Sequence, residues 1–356
     1  MTITVSRFEA SDCVTAVESR ISDFFDTKES LALRYGRQYA RLWAAARRSS
    51  EGGKKFRPAL VVNTYQALGG THDEDVVLVA TAFELLHTAF LMHDDVIDGD
   101  TVRRGLPNIV GTFSANASDS GVSAASAATW GQSSAILAGD LLLHGAQAQI
   151  ARLNIAAATR LTLLDLLEEC MFVTAAGELA DVAFSTTVEL PVLSEVLSMT
   201  QWKTAHYSFQ APLRAGAILA GADEATLTAL GEYGRDIGIA FQLRDDVLGV
   251  FGPEHETGKS ATSDLREGKI TPLMCCGLQR DDSGELRRIL ACGKVTESNA
   301  HRMRQILEAT GARKFIESLI ADYTRLARAV IDLPAIPERL RVQLDDVAQR
   351  ACERSS

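Results

Sequence analysis

Two clusters of aspartate, Asp94-Asp95-Val96-Ile97-Asp98 and Asp245-Asp246, each follow a long apolar stretch, about 150 residues apart. Acids normally spread over solvent, so acids gathered at the ends of apolar helices need a compensating charge. At i and i+4, Asp94 and Asp98 share one helical face, close enough to hold a cation together. Asp95 is turned about 100° from Asp94. Acid at a helix C-terminus opposes the macrodipole, so a simple cap explains the first cluster poorly. Hard divalent cations such as Mg²⁺ fit, held by one or two carboxylates and by substrate phosphate oxygens. An EF-hand is excluded: Val96 occupies a ligand position and no glutamate closes the loop.

The rest of the chain reads as helix. Only eight prolines occur among 356 residues, none between Asn108 and Leu190, and alternating strand patterns are hard to find. Thr71-His72-Asp73-Glu74 reads as a capping box ahead of a helix running through Phe83 and Phe90 to Asp94. A second long helix is expected from about Asp223 to Asp245. Its Gly231, Gly234 and Gly238 indicate either close helix contact or a weak helix. Residues 111–129, rich in Ser, Ala and Gly, read as a flexible surface loop before a helix near Trp130. Loose ends are expected at about 1–12 and 350–356. The simplest architecture is a single all-α domain spanning 1–356, with a cavity between long helices.

The net charge of −10 argues against a nucleic-acid partner, which would want a basic face. It also means that an anionic substrate needs metal or locally concentrated cations. The six cysteines form no C-x-x-C pair, so zinc is not expected and reduced, cytoplasmic thiols are. No signal peptide and no membrane span are evident.

Basic segments flank the acids. Gly52-Gly53-Lys54-Lys55-Phe56-Arg57-Pro58 offers backbone N–H groups and charge to an anion. Arg103-Arg104 either pairs with the acidic cluster or clamps phosphate. His87 sits two turns before Asp94. Lys203-Thr204, Gly258-Lys259 and Gly268-Lys269-Ile270-Thr271 accompany the second cluster. Each segment alone reads equally as ordinary surface.

Taken in order, Gly-Gly-Lys-x-x-Arg-Pro, His-x6-Asp-Asp-x-x-Asp, Arg-Arg-Gly, Lys-Thr, Phe-Gln-x-x-Asp-Asp and Gly-Lys-x-Thr resemble the trans-isoprenyl diphosphate synthases. The match runs from Gly52 to Thr271, and its second half resembles the actinobacterial short-chain branch. The resemblance implies a bundle of long antiparallel helices around a deep central cavity, the isoprenoid synthase fold, usually as a homodimer. It implies a Mg²⁺-dependent prenyltransferase joining isopentenyl diphosphate to an allylic diphosphate. Asp94 and Asp98 match Mg²⁺ ligands, with Asp95 completing the motif; Asp245 matches the ligand of the second motif, with Asp246 beside it; about three Mg²⁺ are implied. Arg103, Lys203 and Lys259 match residues that hold the allylic diphosphate, with Lys269 a further cation. Lys54, Arg57, His87 and Arg104 match the isopentenyl diphosphate site. Thr204 and Gln242 lie where the family places polar groups near the developing cation. In the family, bulk at the positions of Ala89 and Phe90 sets the cavity floor, and this pair favours geranylgeranyl (C20) over farnesyl (C15) product.

Three departures stand out. Gly249 replaces the usual third aspartate of the second motif, Glu178 stands where glutamine is usual, and Pro272-Leu273 reverses a common order. A terpene cyclase would replace the second cluster with an Asn/Ser/Glu-type triad, and a squalene-type enzyme would need Asp-x-x-Glu-Asp motifs. A regulatory subunit of a heteromeric synthase would be expected to lose an aspartate motif, whereas the first is intact. A farnesyl or longer product remains the alternative within the same chemistry.

Overall fold

The computed structural model describes residues 12–186, 189–252, 265, 268–291 and 295–353. Lys259, Asp264, Arg266 and the N-terminal stretch 1–11 lie outside the described residues. Those described form helices, with a single two-stranded ribbon, and fall into two compact units.

The first unit comprises the described residues through Asp165 together with Ala215–Gly221. It holds α1 (Asp12–Ala32), α2 (Arg37–Ser50), α3 (Phe56–Ala67), α4 (Asp73–Ile97), α5 (Ile109–Asp119) and α6 (Ala124–Ala151). At its centre α4 packs against α1, α3 and α6, with Val79, Phe83, Leu85, Leu86 and Ala89 buried. Among the described residues α4 is the one helix long and apolar enough to cross a bilayer. However, 72% of its most apolar window is buried inside the protein, as befits a core helix.

The second unit comprises Leu166–Arg214 and the described residues from Ala222 onward. It contains most of α7 (Ala157–Thr186), then α8 (Leu193–Thr200), a π-helix (Gln201–Gln210) and the start of α9 (Ala211–Leu219). After these come α10 (Glu224–Phe251), α11 (Pro272–Arg280), α12 (Glu285–Ala291), α13 (Glu297–Ala309), α14 (Ala312–Ile331) and α15 (Glu338–Glu353). Here α10 is central, packed against the π-helix, α14 and α15, and Tyr233 donates from its buried hydroxyl to the Leu344 carbonyl at 2.6 Å.

Several local expectations are corrected. Residues 111–129 are not a loop: they form most of α5 and the start of α6. Asn108 caps α5 by accepting from Gly111 N, and Ser123 caps α6 by accepting from Ser126 N. Within this stretch Ser114 serves a contact between α5 and α6. A Cβ on Gly131 would lie 2.2 Å from Ser114 Oγ and 2.5 Å from the Val110 carbonyl. The capping box at Thr71 does not form. Instead α4 starts at Asp73 with His72 as an N-cap lacking a side-chain bond, and Asp73, Glu74 and Asp75 complement the helix dipole. The second aspartate cluster is not at a helix end, because α10 continues six residues past Asp245 to Phe251. At the C-terminal end α15 continues to Glu353, past the position at which a loose end is expected to begin. For the glycines of α10, close contact is the answer at two of three. A Cβ would lie 2.6 Å from Gln210 Cα at Gly234 and 2.5 Å from Ala205 Cβ at Gly238, but only at an ordinary 3.6 Å from Arg214 Cδ at Gly231.

Candidate active site

In the first unit the site is built around the end of α4. The helix closes when Gly99, at φ +72°, turns left-handed; Gly99 N donates to the Val96 carbonyl and Asp100 N to that of Asp95. No basic residue lies in the last turn. Three carboxylates therefore crowd the negative end of the dipole, an arrangement that favours a cation. Asp94 and Asp98 are half-buried and Asp95 is 4% exposed.

A hairpin then brings in the arginines. Val102–Arg103 pairs antiparallel with Leu106–Pro107. The two-residue turn puts Arg104 at φ +54° and Gly105 at φ +75°, the geometry that matches strand twist. Neighbouring strand and turn positions point apart, so the arginines serve different partners. Arg103 donates from Nε to Asp95 Oδ1 at 2.7 Å and from Nη2 to Asp94 Oδ2 at 3.1 Å. Burial opposes the charge on Arg103, and Asp95 and Asp94 more than offset it, raising its pKa. Burial likewise raises the Asp95 carboxyl, and Arg103 and Asn108 pull it only part of the way back.

Arg104 turns toward residues 51–53, donating from Nη1 to the Glu51 carbonyl at 3.1 Å. A Cβ on Gly53 would lie 3.1 Å from Arg104 Nη2, and Gly53 has φ +77°. The glycine thus permits both the turn and the approach of the guanidinium. Lys55, left-handed at φ +44°, precedes α3 and sends its ammonium inward to the Ser50 carbonyl (2.6 Å) and Glu84 Oε1 (2.9 Å). Lys54 is exposed and Arg57 half-buried. His87, one turn of α4 from Glu84, is half-buried among these cations. Burial first, then Arg57, Arg104, Arg103 and Lys55, holds its pKa well below the ordinary imidazole range. The histidine is therefore neutral near pH 7, able to accept one hydrogen bond and donate another. Ala89 is fully buried and Phe90 half-buried on the same helix.

In the second unit Lys203 and Thr204 belong to the first turn of the π-helix, a wide coil often found at functional sites. It is gripped from two sides. Beside the contacts of Gly234 and Gly238, a Cβ on Gly177 of α7 would lie 2.3 Å from Lys203 N. This approach delivers the Lys203 ammonium to Glu178 (3.0 Å) and Asp181 (2.6 Å). Gln242 donates from Nε2 to Asp246 Oδ1 at 2.9 Å and holds that carboxylate in a 7%-exposed position. Asp245 is half-buried, as are Thr204 and Lys269. Thr271 caps α11 by accepting from Met274 N, so Pro272 falls at the first helical position. That position tolerates proline, which accounts for the reversed Pro-Leu order.

Sequence reasoning missed the Lys55–Glu84 and Lys203–Glu178–Asp181 pairs and the π-helix. Glu84 was legible as an acid inside an apolar run, which needs a partner once buried.

Among the described residues no three His, Cys, Asp or Glu side chains cluster closely enough to hold a metal by themselves. The hard oxygen donors at the end of α4 suit Mg²⁺ if substrate and water complete its shell.

The sequence model of the polyprenyl synthetase family matches residues 41–310. The chain belongs to this family. Relatives include the geranylgeranyl diphosphate synthase of Methanosarcina mazei, 32% identical over 83% of this chain and 85% of its own length. The geranylfarnesyl diphosphate synthase of Aeropyrum pernix is also 32% identical, over 84% and 91%. A crystal structure of geranylgeranyl pyrophosphate synthase from Corynebacterium glutamicum, complexed with isoprenyl diphosphate and magnesium, superposes with a TM-score of 0.89 at 32% identity, covering 96% of this chain and 98% of that one. Like its polyprenyl synthetase relatives, the protein has the all-α isoprenoid synthase fold and is a short-chain trans-prenyltransferase.

Proposed function

We propose that this polyprenyl synthetase condenses isopentenyl diphosphate with dimethylallyl, geranyl or farnesyl diphosphate and makes geranylgeranyl diphosphate. One observation carries the reading: the hairpin sends its adjacent arginines, Arg103 and Arg104, into surroundings of opposite chemistry. On the Arg104 side are cations and a neutral histidine; on the Arg103 side are the carboxylates of Asp94 and Asp95, a set that suits a divalent metal.

In this reading Lys54, Arg57, His87 and Arg104 hold isopentenyl diphosphate without metal. Asp94, Asp98 and Asp245 hold the allylic diphosphate through about three Mg²⁺, with Asp95 and Asp246 orienting them. Bound there, Mg²⁺ supplies Lewis acidity to the leaving diphosphate. Arg103 exchanges Asp94 for a diphosphate oxygen, and Lys203, Lys259 and Lys269 join it in stabilising the charge that develops as the allylic C–O bond ionises. Thr204 and Gln242 line the path of the cation. The double bond of isopentenyl diphosphate, aligned within about 3.5 Å, attacks the allylic carbon. A proton then passes to the departed diphosphate, and the chain is five carbons longer. In this reading the chain works as a single catalytic domain.

Chain length rests on Phe90, four residues and so about 6 Å of helix below Asp94, beside buried Ala89. A homodimer is supported by the exposed apolar residues Ile136 and Leu137 on α6 and by Phe172, Leu179 and Val182 at helical spacing on α7. A cytoplasmic setting is supported by the free, buried thiols of Cys170, Cys275 and Cys276.

The decisive test incubates purified protein with Mg²⁺, isopentenyl diphosphate and each allylic primer, and sizes the products. Extension to C20 supports the reading; no extension of any primer overturns it in favour of a regulatory subunit. A Phe90→Ala variant should lengthen the product by at least one unit, and unchanged length would remove the ruler role. Light scattering in solution tests the dimer.

A further inference from the structure

Of two adjacent lysines, Lys54 is exposed and Lys55 turns inward. Lys55 is 9% exposed, and its ammonium donates to the Ser50 carbonyl at 2.6 Å and to Glu84 Oε1 at 2.9 Å. We propose that Lys55 is a positioning residue, its ammonium pinning the loop at 51–55 in the register that aligns Lys54, Arg57 and Arg104 on isopentenyl diphosphate, with Glu84 as its anchor. The inference deepens the reading above that these cations hold isopentenyl diphosphate, and rests on it.

The pin joins three helices of the first unit. Ser50 is the last residue of α2, so its carbonyl lies at the negative end of that helix dipole, where an ammonium is favoured. Lys55 is the N-cap of α3, and Glu84 lies on α4 one turn from His87. Lys55 holds φ +44° and ψ +41°, a left-handed conformation that is costly for a residue bearing a Cβ and persists where the surroundings over-determine it. Between Ser50 and Lys55 the loop turns on Gly52 at φ +71° and Gly53 at φ +77°. With two glycines it has little stiffness of its own. The Glu51 carbonyl in that loop accepts from Arg104 Nη1 at 3.1 Å, and a Cβ on Gly53 would lie 3.1 Å from Arg104 Nη2. A shift of the loop therefore displaces the Arg104 guanidinium as well as Lys54. A buried ion pair adds little net stability over apolar side chains of similar volume, but its directed bonds are satisfied in one register. An apolar pair in its place keeps α3 and α4 packed and releases the loop.

The test uses the double variant Lys55→Met with Glu84→Ala, the single variant Glu84→Gln and, as a control, Arg57→Ala. Isopentenyl diphosphate is titrated calorimetrically in chelated, metal-free buffer, and KM is measured for it and for the allylic primer at saturating Mg²⁺. The double variant should unfold in urea near the wild-type midpoint. It should bind isopentenyl diphosphate about tenfold more weakly, the scale of one misaligned charge-assisted hydrogen bond. Its KM for isopentenyl diphosphate should rise in proportion, while KM for the primer stays unchanged. Amide hydrogen exchange at residues 51–55 should quicken. Glu84→Gln keeps an acceptor for the ammonium without the charge and should fall between wild type and the double variant; it carries the comparison if the double variant does not fold. Wild-type affinity in the double variant overturns the proposal, as does an equal rise in both KM values. So does tighter binding by Glu84→Gln, the mark of a Lys55 that contacts substrate itself. If Arg57→Ala binds isopentenyl diphosphate as wild type does while exchange at 51–55 still quickens in the double variant, the reading of the site fails alone. If Arg57→Ala weakens binding and the double variant does not, this inference fails alone.

Discussion

The substitution Gly177→Ala sets helix propensity directly against packing. In a helix interior, alanine is favoured over glycine by about 1 kcal/mol, so on propensity alone the variant is more stable. The structure reverses the sign. The new Cβ would meet Lys203 N at 2.3 Å, Lys203 Cα at 2.7 Å and the Trp202 carbonyl carbon at 2.8 Å, where ordinary contact begins at 3.4 Å. All three atoms are backbone, so no side chain can swing away, and α7 and the π-helix must separate by roughly 1 Å, with overpacking costing about 1–3 kcal/mol. The net destabilisation is then about 0–2 kcal/mol. The displacement carries Lys203 with it, and with Lys203 at the allylic diphosphate, as proposed, a misplacement of that size lowers kcat by about a hundredfold. Gly231→Ala is the control, its Cβ meeting only Arg214 Cδ at 3.6 Å; it should gain up to about 1 kcal/mol and keep full activity. Urea unfolding and steady-state kinetics on both variants decide. If Gly177→Ala is as stable and as active as Gly231→Ala, the close approach is not what holds Lys203.

Asp94→Asn and Asp98→Asn should each lower kcat by about a hundredfold or more, the scale of losing one fixed transition-state stabiliser, with the far-ultraviolet dichroism unchanged. Glu84→Ala strands the Lys55 ammonium, whose side chain is 7% exposed, and should destabilise by about 3–5 kcal/mol in urea unfolding; pairing it with Lys55→Met should restore most of the loss. His206 carries a pKa held below its ordinary value, by burial first and by Arg214 against the opposing pull of Glu169 and Gln210. The unfolded chain therefore takes up a proton that the folded one refuses. Stability is complete above about pH 6.5 and declines as pH falls below it, so His206→Gln should flatten the decline in urea midpoint between neutral and acidic pH.

What was legible in the sequence is what depends on neighbours along the chain. Apolar periodicity led along α4 to Asp94, and the backbone stays helical on to Asp98, whose N–H donates to the Asp94 carbonyl at 2.8 Å. The start of α10 near Asp223 was equally readable, and Asp223 caps the helix by accepting from Thr226 N at 2.9 Å. The order of short motifs carried the family. The small-residue stretch at 111–129 misled, because Ser, Ala and Gly serve a flexible loop or a tight helix contact equally well, and only a neighbour such as Ser114 against Gly131 decides between them. Composition cannot supply that neighbour.

The charge pairs belong to the same class. Lys55 meets Glu84 across 29 residues and Lys203 meets Asp181 across 22, joined only because separate helices pack in one register. The sequence by itself determined which residues carry charge and which helical face they share. Only the tertiary structure decided which charges neutralise one another, because an ion pair between helices depends on an approach set by the smallest side chains at their contact, here the missing Cβ of Gly177.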